Sequence, residues 1–339
     1  DEMVNKRSLL TAAALVLLLA GAALAACGEV VGQIQKLPPS RITFYVATNG
    51  SDTWSGTLAA PNANNDDGPF RSFGRCRRAM RDSSSVGTCT IRGGMYKVTA
   101  TLNLTSADDG ETWQYYSSDG VNSAVLDGGG TPDGNNGVDI FLIDHGGSNI
   151  TVNGLKMENF HNNGAFISGA GASRGPHASD NMIENCDVGH DSTTSGNTHA
   201  GILVEDGPGT TLKNNYVHDV SSHGIAVYAY YAGESIMNSV IANNVILRNA
   251  RLQPDNGGIY VSGHAGEVGG SPGTDGIAVT NNFVRDYSSS GRAHMHGIYL
   301  DDDASGVSVS GNVIGPPTKG TVGSGNNAEA PYLSHNGYN

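Results

Sequence analysis

Two short stretches of the chain place acidic residues beside the same glycine-isoleucine-tyrosine motif. They are DNGGIYVSG, residues 255–263, and HGIYLDDDASG, residues 296–306. Asp255 precedes the first motif, and Asp301 and Asp302 follow the second. Hydrolysis of a glycosidic bond needs two carboxyl groups, one as an acid and the other as a base or nucleophile. Asp255 and either Asp301 or Asp302 are therefore a candidate catalytic pair, although an Asp in a loop also commonly serves only to form the turn.

Side chains around these motifs alternate between two faces, as they do in a strand. Ile298 and Leu300 share one face and are expected to point into a core, which leaves Tyr299 and Asp301 pointing outward. Related segments upstream, AGILVED and HGIAVYA, carry the same alternation. If all four are equivalent strands, the outward positions form one track, which we predict to be a polar, substrate-binding surface. It comprises Glu205, Tyr228, Tyr260, Tyr299 and Asp301.

Two histidines occupy matching places in this pattern. His223 and His296 each come directly before a Gly-Ile pair. A histidine beside a carboxylate can bind a sugar hydroxyl or tune the pKa of the acid. A purely structural role, with the ring bonded to backbone carbonyls, is the alternative.

The elements that would position these residues are short strands in a repeat. The segments TVNGLKM, MIENCDV, TLKNNYV, VIANNVI, AVTNNFV and VSVSGNVI align with a period of about 30 residues. One column of the alignment contains Leu155, Cys186, Asn215, Asn244, Asn282 and Asn312. Asparagines at one point of every coil indicate amides stacked along an array. Antiparallel hairpins do not predict such a column, whereas an all-β parallel β-helix does.

The chain resembles the pectate-lyase-like superfamily of right-handed parallel β-helices over roughly residues 42 to 314. The segment FYVATNGSDTWSGTLAAPNANNDDGPFRSFGRCRRAMR, residues 44–81, is similar to the strand-and-helix entry module of secreted β-helix carbohydrate enzymes. The motifs DNGGIY and IYLDD are similar to paired motifs of β-helix glycoside hydrolases of the fucosidase and xylosidase kind. The resemblance implies catalytic roles for Asp255 and for Asp301 or Asp302. The third acid, Asp303, departs from that pattern.

Two of the four cysteines, Cys76 and Cys89, lie near the end of this module and just after it. Ser72 is a candidate N-cap for a short helix, and Cys76 lies on its apolar face with Phe73 and Met80. A Cys76–Cys89 disulfide is expected in an oxidising compartment, with two unpaired buried thiols as the alternative. Cys186 is expected to be a small buried residue.

The N-terminal sequence is typical of an export signal. A short basic region precedes an apolar run that ends in LAAC, residues 24–27, which looks like a bacterial lipobox. The resemblance implies cleavage before Cys27 and a lipid on its sulfur, hence a cell-surface or extracellular protein. An ordinary signal peptide or a membrane anchor are the alternatives. The predicted organisation is a signal peptide (1–26), a tether (27–41), a cap with the first coils (42–119), the β-helix (120–314) and, at 315–339, either a tail or the start of a further, truncated coil.

The composition argues against some classes of binding partner. The formal net charge is −13, which argues against nucleic acid. No Cys/His spacing resembles a zinc site, so we predict no metal ligands and no required cofactor, although calcium is possible. We expect the protein to be a monomer and its substrate to be a polysaccharide or an oligosaccharide.

Three functions fit these observations. The first is a glycoside hydrolase. The second is a polysaccharide lyase acting by β-elimination on uronic-acid polymers, with His223, Tyr228, His296 or Arg292, or Asp residues with calcium, supplying the base and the charge neutralisation. The third is a non-catalytic glycan-binding adhesin.

Overall fold

The structure is a computed structural model that describes residues 41–315 and 332–334 apart from short internal stretches. Those stretches are residues 133, 170–175, 194–198, 252–254, 267–268, 270, 272 and 288–294. The expected signal peptide, Cys27 with almost all of the tether, Arg292 and most of the C-terminal tail lie outside the described residues. No helix among the described residues is long and apolar enough to cross a membrane.

Successive coils of the chain contribute strands to three parallel sheets, which we call sheets 1, 2 and 3. Sheet 1 contains β1 (Arg41–Val46), β2 (Val86–Ile91), β5 (Thr112–Tyr115), β8 (Thr151–Asn153), β11 (Met182–Glu184), β14 (Thr211–Lys213), β17 (Val240–Ala242), β20 (Ala278–Thr280) and β23 (Ser308–Ser310). Sheet 2 contains β3 (Gly94–Lys97), β6 (Ala124–Asp127), β9 (Lys156–Glu158), β12 (Asp187–Gly189), β15 (Tyr216–His218), β18 (Val245–Leu247), β21 (Phe283–Arg285) and β24 (Val313–Ile314). Sheet 3 contains β4 (Leu102–Leu104), β7 (Phe141–Ile143), β10 (Ala165–Ser168), β13 (Ala200–Glu205), β16 (His223–Tyr228), β19 (Asn256–Ser262), β22 (Met295–Asp301) and β25 (Tyr332–Ser334). The prediction of an all-β, right-handed parallel β-helix is confirmed.

A two-residue turn joins sheet 1 to sheet 2 in each of the later coils. Its first residue has φ between 56° and 68°, a conformation that glycine and asparagine adopt most readily. The residues at this position are Gly154, Asn185, Asn214, Asn243, Asn281 and Gly311. The second residue of each turn points inward and forms the column that the sequence alignment identified.

The asparagines of that column form a continuous hydrogen-bonded ladder. The backbone N–H of Asn215 donates to Oδ1 of Asn244 at 2.9 Å, and that of Asn244 donates to Oδ1 of Asn282 at 2.9 Å. Asn282 donates in the same way to Asn312 at 2.8 Å. Each Nδ2 also donates to a main-chain carbonyl, as Asn244 does to Leu212 at 2.9 Å. The predicted stacking of the asparagines is confirmed, and it satisfies polar groups that would otherwise be buried without partners.

A glycine column explains the repeated Gly-Ile pair. A Cβ at Gly201 would lie 2.4 Å from Val217 Cγ1, and one at Gly224 would lie 2.4 Å from Ile246 Cγ2. Sheet 3 strands therefore enter so close to the inner side chains of sheet 2 that no side chain fits there. The isoleucine that follows each glycine packs in the core, where Ile202, Ile225, Ile259 and Ile298 are fully buried.

The first coil is covered by helix α1 (Phe73–Asp82), and a 3₁₀ turn follows at Ser106–Asp108. Ser72 caps the helix by accepting the Arg75 N–H at 3.2 Å, as predicted. The helix buries Cys76 and Met80. Cys76 forms a disulfide with Cys89 of β2, which confirms the expected pairing, and Cys186 is a buried free thiol.

We expect Asn244→Ala to weaken the fold by about 2–4 kcal/mol, because it leaves the Asn215 N–H and the Leu212 carbonyl buried and unpaired. Chemical unfolding followed by circular dichroism measures the loss. Asn243→Gly is the matched control: this adjacent, exposed residue has φ 57°, which glycine adopts without strain. An equal loss in both variants would contradict a stabilising role for the ladder.

Replacing both Cys76 and Cys89 by alanine should lower the free energy of unfolding by about 3 kcal/mol, because the bridge closes a short loop between residues 13 apart. Thermal melts measure the effect. Reductant should lower the melting temperature of the parent protein but not that of the double variant. A response of the double variant to reductant would assign the effect to another group.

Candidate functional site

The outward face of sheet 3 brings the sequence-predicted residues into three rows that run across the coils. Tyr260 pairs in register with Tyr299, and Ser262 with Asp301. Glu205 pairs with Tyr228, which pairs with Ser262, so these residues belong to the row of Asp301. His223 and His296 form a third row on either side of Gly257. The predicted division is present: Ile298 and Leu300 lie in the core, and Tyr299 and Asp301 lie on the opposite side.

This face is less polar than the sequence analysis predicted, and most of its predicted residues are buried. Asp301 is 5% exposed, Tyr299 4% and Glu205 8%. An outer apolar cluster separate from the core is formed by Ala200, Leu203, Ala226 and Tyr228, with Phe166 and Tyr260 packed against it. The expectation was wrong because strand alternation determines only the side to which a residue points, not whether other parts of the chain cover that side.

Tyr299 links the two candidate carboxylates. Its hydroxyl donates to Oδ1 of Asp255 at 3.3 Å, and burial together with the charges of Asp301 and Asp255 raises its pKa. The hydroxyl of Tyr260 donates to Oδ2 of Asp301 at 3.1 Å. The structure thus brings together Asp255 and Asp301, which strand positions alone place far apart.

A bend in β19 accounts for this reach. A Cβ at Gly257 would lie 2.6 Å from the carbonyl oxygen of Ile259, two residues further along. That distance is far shorter than an extended strand allows, so the backbone is bent at this glycine, although β19 stays in register with β22 on both sides of it. Asp255 itself has φ 59°, a left-handed conformation that redirects its side chain.

The two tyrosines are electrostatically coupled to the acids. Burial raises the pKa of both Tyr260 and Tyr299, and the negative charge of Asp301 raises it further. Both phenols therefore stay protonated and donate hydrogen bonds across the physiological pH range. Their rings pack edge to face with centroids 5.3 Å apart, which restricts the orientation of both hydroxyl groups.

His223 packs against one of the same tyrosines. Its Nδ1 accepts the backbone N–H of Gly257 at 3.1 Å, so in the neutral ring the proton is on Nε2. The ring stacks on Tyr260 with centroids 4.4 Å apart. His296 packs against Tyr299 at 4.7 Å. Both predicted histidines thus contact the tyrosines that bond the carboxylates.

Asp302 and Asp303 form the turn after β22, with φ 44° and 58°. Asp302 faces a different environment from Asp301: its Oδ2 accepts the Ser262 hydroxyl at 3.3 Å and lies 3.7 Å from His264 Nδ1. Glu205 is three coils from Asp301 along its row, a distance of about 14 Å at the spacing of a β-sheet. Among the predicted acids, geometry therefore favours the pair Asp255 and Asp301.

Three aromatic residues that the sequence reasoning missed extend this face. Tyr230 and Tyr231 are 41% and 48% exposed, and their rings lie 4.9 Å apart. Tyr230 stacks on His264 at 4.6 Å, and His264 reaches Asp302. The run YAYYAGE at residues 228–234 was the available signal, because adjacent tyrosines beyond a strand end often stay exposed.

Solved structures provide three comparisons. A pectate lyase, Pel9A, is similar with TM-score 0.45 and 15% identity, covering 90% of this chain and 80% of its own. The pectin methylesterase PemA from Erwinia chrysanthemi has TM-score 0.40 and 10% identity, covering 80% and 90%. The endo-xylogalacturonan hydrolase from Aspergillus tubingensis has TM-score 0.35 and 14% identity, covering 87% and 91%. At these scores the likenesses carry no argument about activity.

A search of curated proteins found no match in sequence. The family model described as a right handed beta helix region matches residues 139–336, more than half of the chain. That match covers the ladder of asparagines and the sheet 3 rows that carry Asp255 and Asp301. The chain therefore belongs to the right-handed β-helix family.

Proposed function

We propose that the protein is a surface-anchored or secreted glycoside hydrolase that cleaves a polysaccharide with Asp255 and Asp301. The observation that carries the proposal is that Asp255 accepts the Tyr299 hydroxyl and Asp301 accepts the Tyr260 hydroxyl, from two tyrosines whose rings pack against each other beside the buried Asp301. One carboxyl group would protonate the glycosidic oxygen as the bond to the sugar breaks. The other would either take a proton from the attacking water or attack the sugar carbon itself.

The tyrosine hydroxyls beside the two carboxyl groups fit these catalytic roles. The Tyr260 hydroxyl donates to Asp301 and the Tyr299 hydroxyl to Asp255, so each acid is held by a fixed donor. Burial of Asp301 strengthens its hydrogen bond to Tyr260, because little water competes for it, whereas Asp255 is half-buried. A carboxyl separation of about 5 Å is typical of retaining enzymes and one of about 6.5–9.5 Å of inverting enzymes. The anomeric form of the first product would distinguish the two.

A lyase fits the same face less well. β-Elimination needs a base, and the raised pKa values of Tyr260 and Tyr299 make their phenolates hard to form. His223 accepts a backbone N–H at Nδ1, which leaves Nε2–H as a donor rather than a base. The proposal also includes lipid attachment at Cys27, a monomeric state and activity that does not require calcium.

Incubation with a panel of plant and algal polysaccharides tests the class of activity. A hydrolase releases reducing ends without new ultraviolet absorbance, whereas a lyase produces both. An adhesin produces neither but binds the glycan. Reducing ends together with an unsaturated product would overturn the proposal.

On a substrate that the parent protein cleaves, Asp301→Asn should lower turnover by about 10²-fold or more, because the amide cannot exchange a proton. Asparagine keeps an acceptor for Tyr260, so the melting temperature should change little. Asp303→Asn, in the turn two residues further on, is the control and should retain activity. Full activity of Asp301→Asn would remove this residue from the mechanism.

Tyr230→Ala should weaken binding of an oligosaccharide about fivefold, because a sugar ring loses a flat aromatic partner worth about 1 kcal/mol. Isothermal titration with inactive Asp301→Asn protein measures the affinity without turnover. Phe283→Ala is the control, since Phe283 is similarly exposed, at 37%, but lies on sheet 2. Equal affinities of both variants would exclude Tyr230 from the binding surface.

A further inference from the structure

A second cluster of polar side chains lies on sheet 2, at the turns that follow its strands. The residue directly after each strand has φ between 53° and 62° in five consecutive coils. These residues are Asn159, His190, Asp219, Arg248 and Asp286. Because the coils are stacked, this repeated turn aligns His190 of one coil with Asp219 of the next. Four of the five are asparagine, histidine or aspartate, the residues with a Cβ that are enriched in left-handed backbone, and Arg248 is the exception.

His218 lies in the middle of this cluster and is 6% exposed. It is in register with Gly189 of the preceding coil. A Cβ at Gly189 would come within 2.6 Å of His218 Cε1, so the glycine leaves space for the imidazole to lean across the coil. The ring stacks on Tyr216 with centroids 4.3 Å apart, which fixes its plane.

Both nitrogens of His218 face carboxylates. Nε2 is 2.9 Å from Asp187 Oδ1, and Nδ1 is 2.7 Å from Asp219 Oδ2. A histidine that ligates a metal ion commonly donates its other N–H to a carboxylate, which orients the ring and raises its basicity. The bond from Nε2–H to Asp187 has that form, and it leaves Nδ1 directed at Asp219.

We propose that His190, His218 and Asp219 bind a divalent transition-metal ion, with Asp187 as the positioning carboxylate behind His218. One ligand atom of each of the three residues lies within 4.8 Å of the others. His190 is exposed, which gives an ion a path from solvent to the buried His218. The ion takes the place that a proton between His218 Nδ1 and Asp219 otherwise occupies.

The donor set selects the kind of ion. Two imidazole nitrogens and one carboxylate oxygen suit zinc, nickel or copper, whereas calcium and magnesium prefer oxygen ligands throughout. Arg248 donates to both oxygens of Asp219, at 2.7 and 2.6 Å. This contact orients the carboxylate and also withdraws some of its charge, so we expect micromolar rather than nanomolar affinity.

A bound ion would join two coils. Asp187 and His190 belong to one coil, and His218 and Asp219 belong to the next. Binding to the folded state alone raises the apparent stability, so the melting temperature should rise with zinc. The site lies on sheet 2 and not on the face of Asp255 and Asp301, so it stands independently of the proposed hydrolase.

Isothermal titration of the full chain, free of any affinity tag and pretreated with chelator, tests the site with Zn²⁺. One zinc ion should bind per chain. Ca²⁺ at about 1 mM should not compete with zinc, because calcium prefers oxygen ligands. His190→Asn removes a ligand while keeping a residue that tolerates left-handed backbone, and it should weaken zinc binding at least tenfold. Asp187→Asn should weaken it by about 10–100-fold although Asp187 is not a ligand.

His145→Asn is the matched control. His145 also has left-handed backbone, at φ 45°, and its Nδ1 lies 2.8 Å from Asp144 Oδ2. This variant should bind zinc like the parent and show the same rise in melting temperature, whereas His190→Asn should lose that rise. Absence of saturable zinc binding, parental affinity in His190→Asn, or competition by Ca²⁺ would each overturn the proposal.

Discussion

Stacking of each coil on the next at the spacing of a β-sheet, about 4.8 Å, is the constraint on which the rest of this structure depends. Backbone hydrogen bonds between parallel strands keep equivalent positions of successive coils in columns. A side chain must therefore suit both its own place and its neighbours above and below. Asn244 satisfies this requirement with its amide, and Gly224 satisfies it by having no side chain at all.

The same columns assemble groups that are remote in sequence. Asp301 meets Tyr260 across one coil boundary on sheet 3, and His218 meets Asp187 across another on sheet 2. In both places a polar contact joins adjacent coils at a buried side chain, Asp301 in the first and His218 in the second. A hydrogen bond to a carboxylate is strong in such surroundings, which links the stability of the stack to the orientation of the reactive groups.

Turns with left-handed backbone supply much of this chemistry. Asp255, Asp302, His190 and Asp219 all have positive φ at a strand end. Such positions direct a side chain away from the regular alternation of the strand. Aspartate, asparagine and histidine tolerate them best among residues with a Cβ, so the residue types that the turns require are also those that can ligate metals or transfer protons.

Much of the fold and part of the site were open to prediction because they depend on local rules. Strand alternation determines that Tyr299 and Asp301 point away from Ile298 and Leu300. A recurring asparagine can stack only if its coils repeat in register, so Asn215, Asn244 and Asn282 indicated a parallel β-helix. The short separation of Cys76 and Cys89 similarly predicted their disulfide.

Only the tertiary structure determined the contacts that depend on a bend in a strand, on which parts of the chain cover a sheet, or on the stacking of neighbouring coils. The bend in β19 at Gly257 brings Asp255 to Tyr299, and strand alternation does not predict the direction of that bend. Burial of Asp301 depends on what lies over sheet 3, which alternation does not specify. His190 and His218 are separated by most of a coil, so only the stacking distance brings them together. The sequence by itself thus determined which residues repeat and which side they take, and the packed coils determined which of them meet.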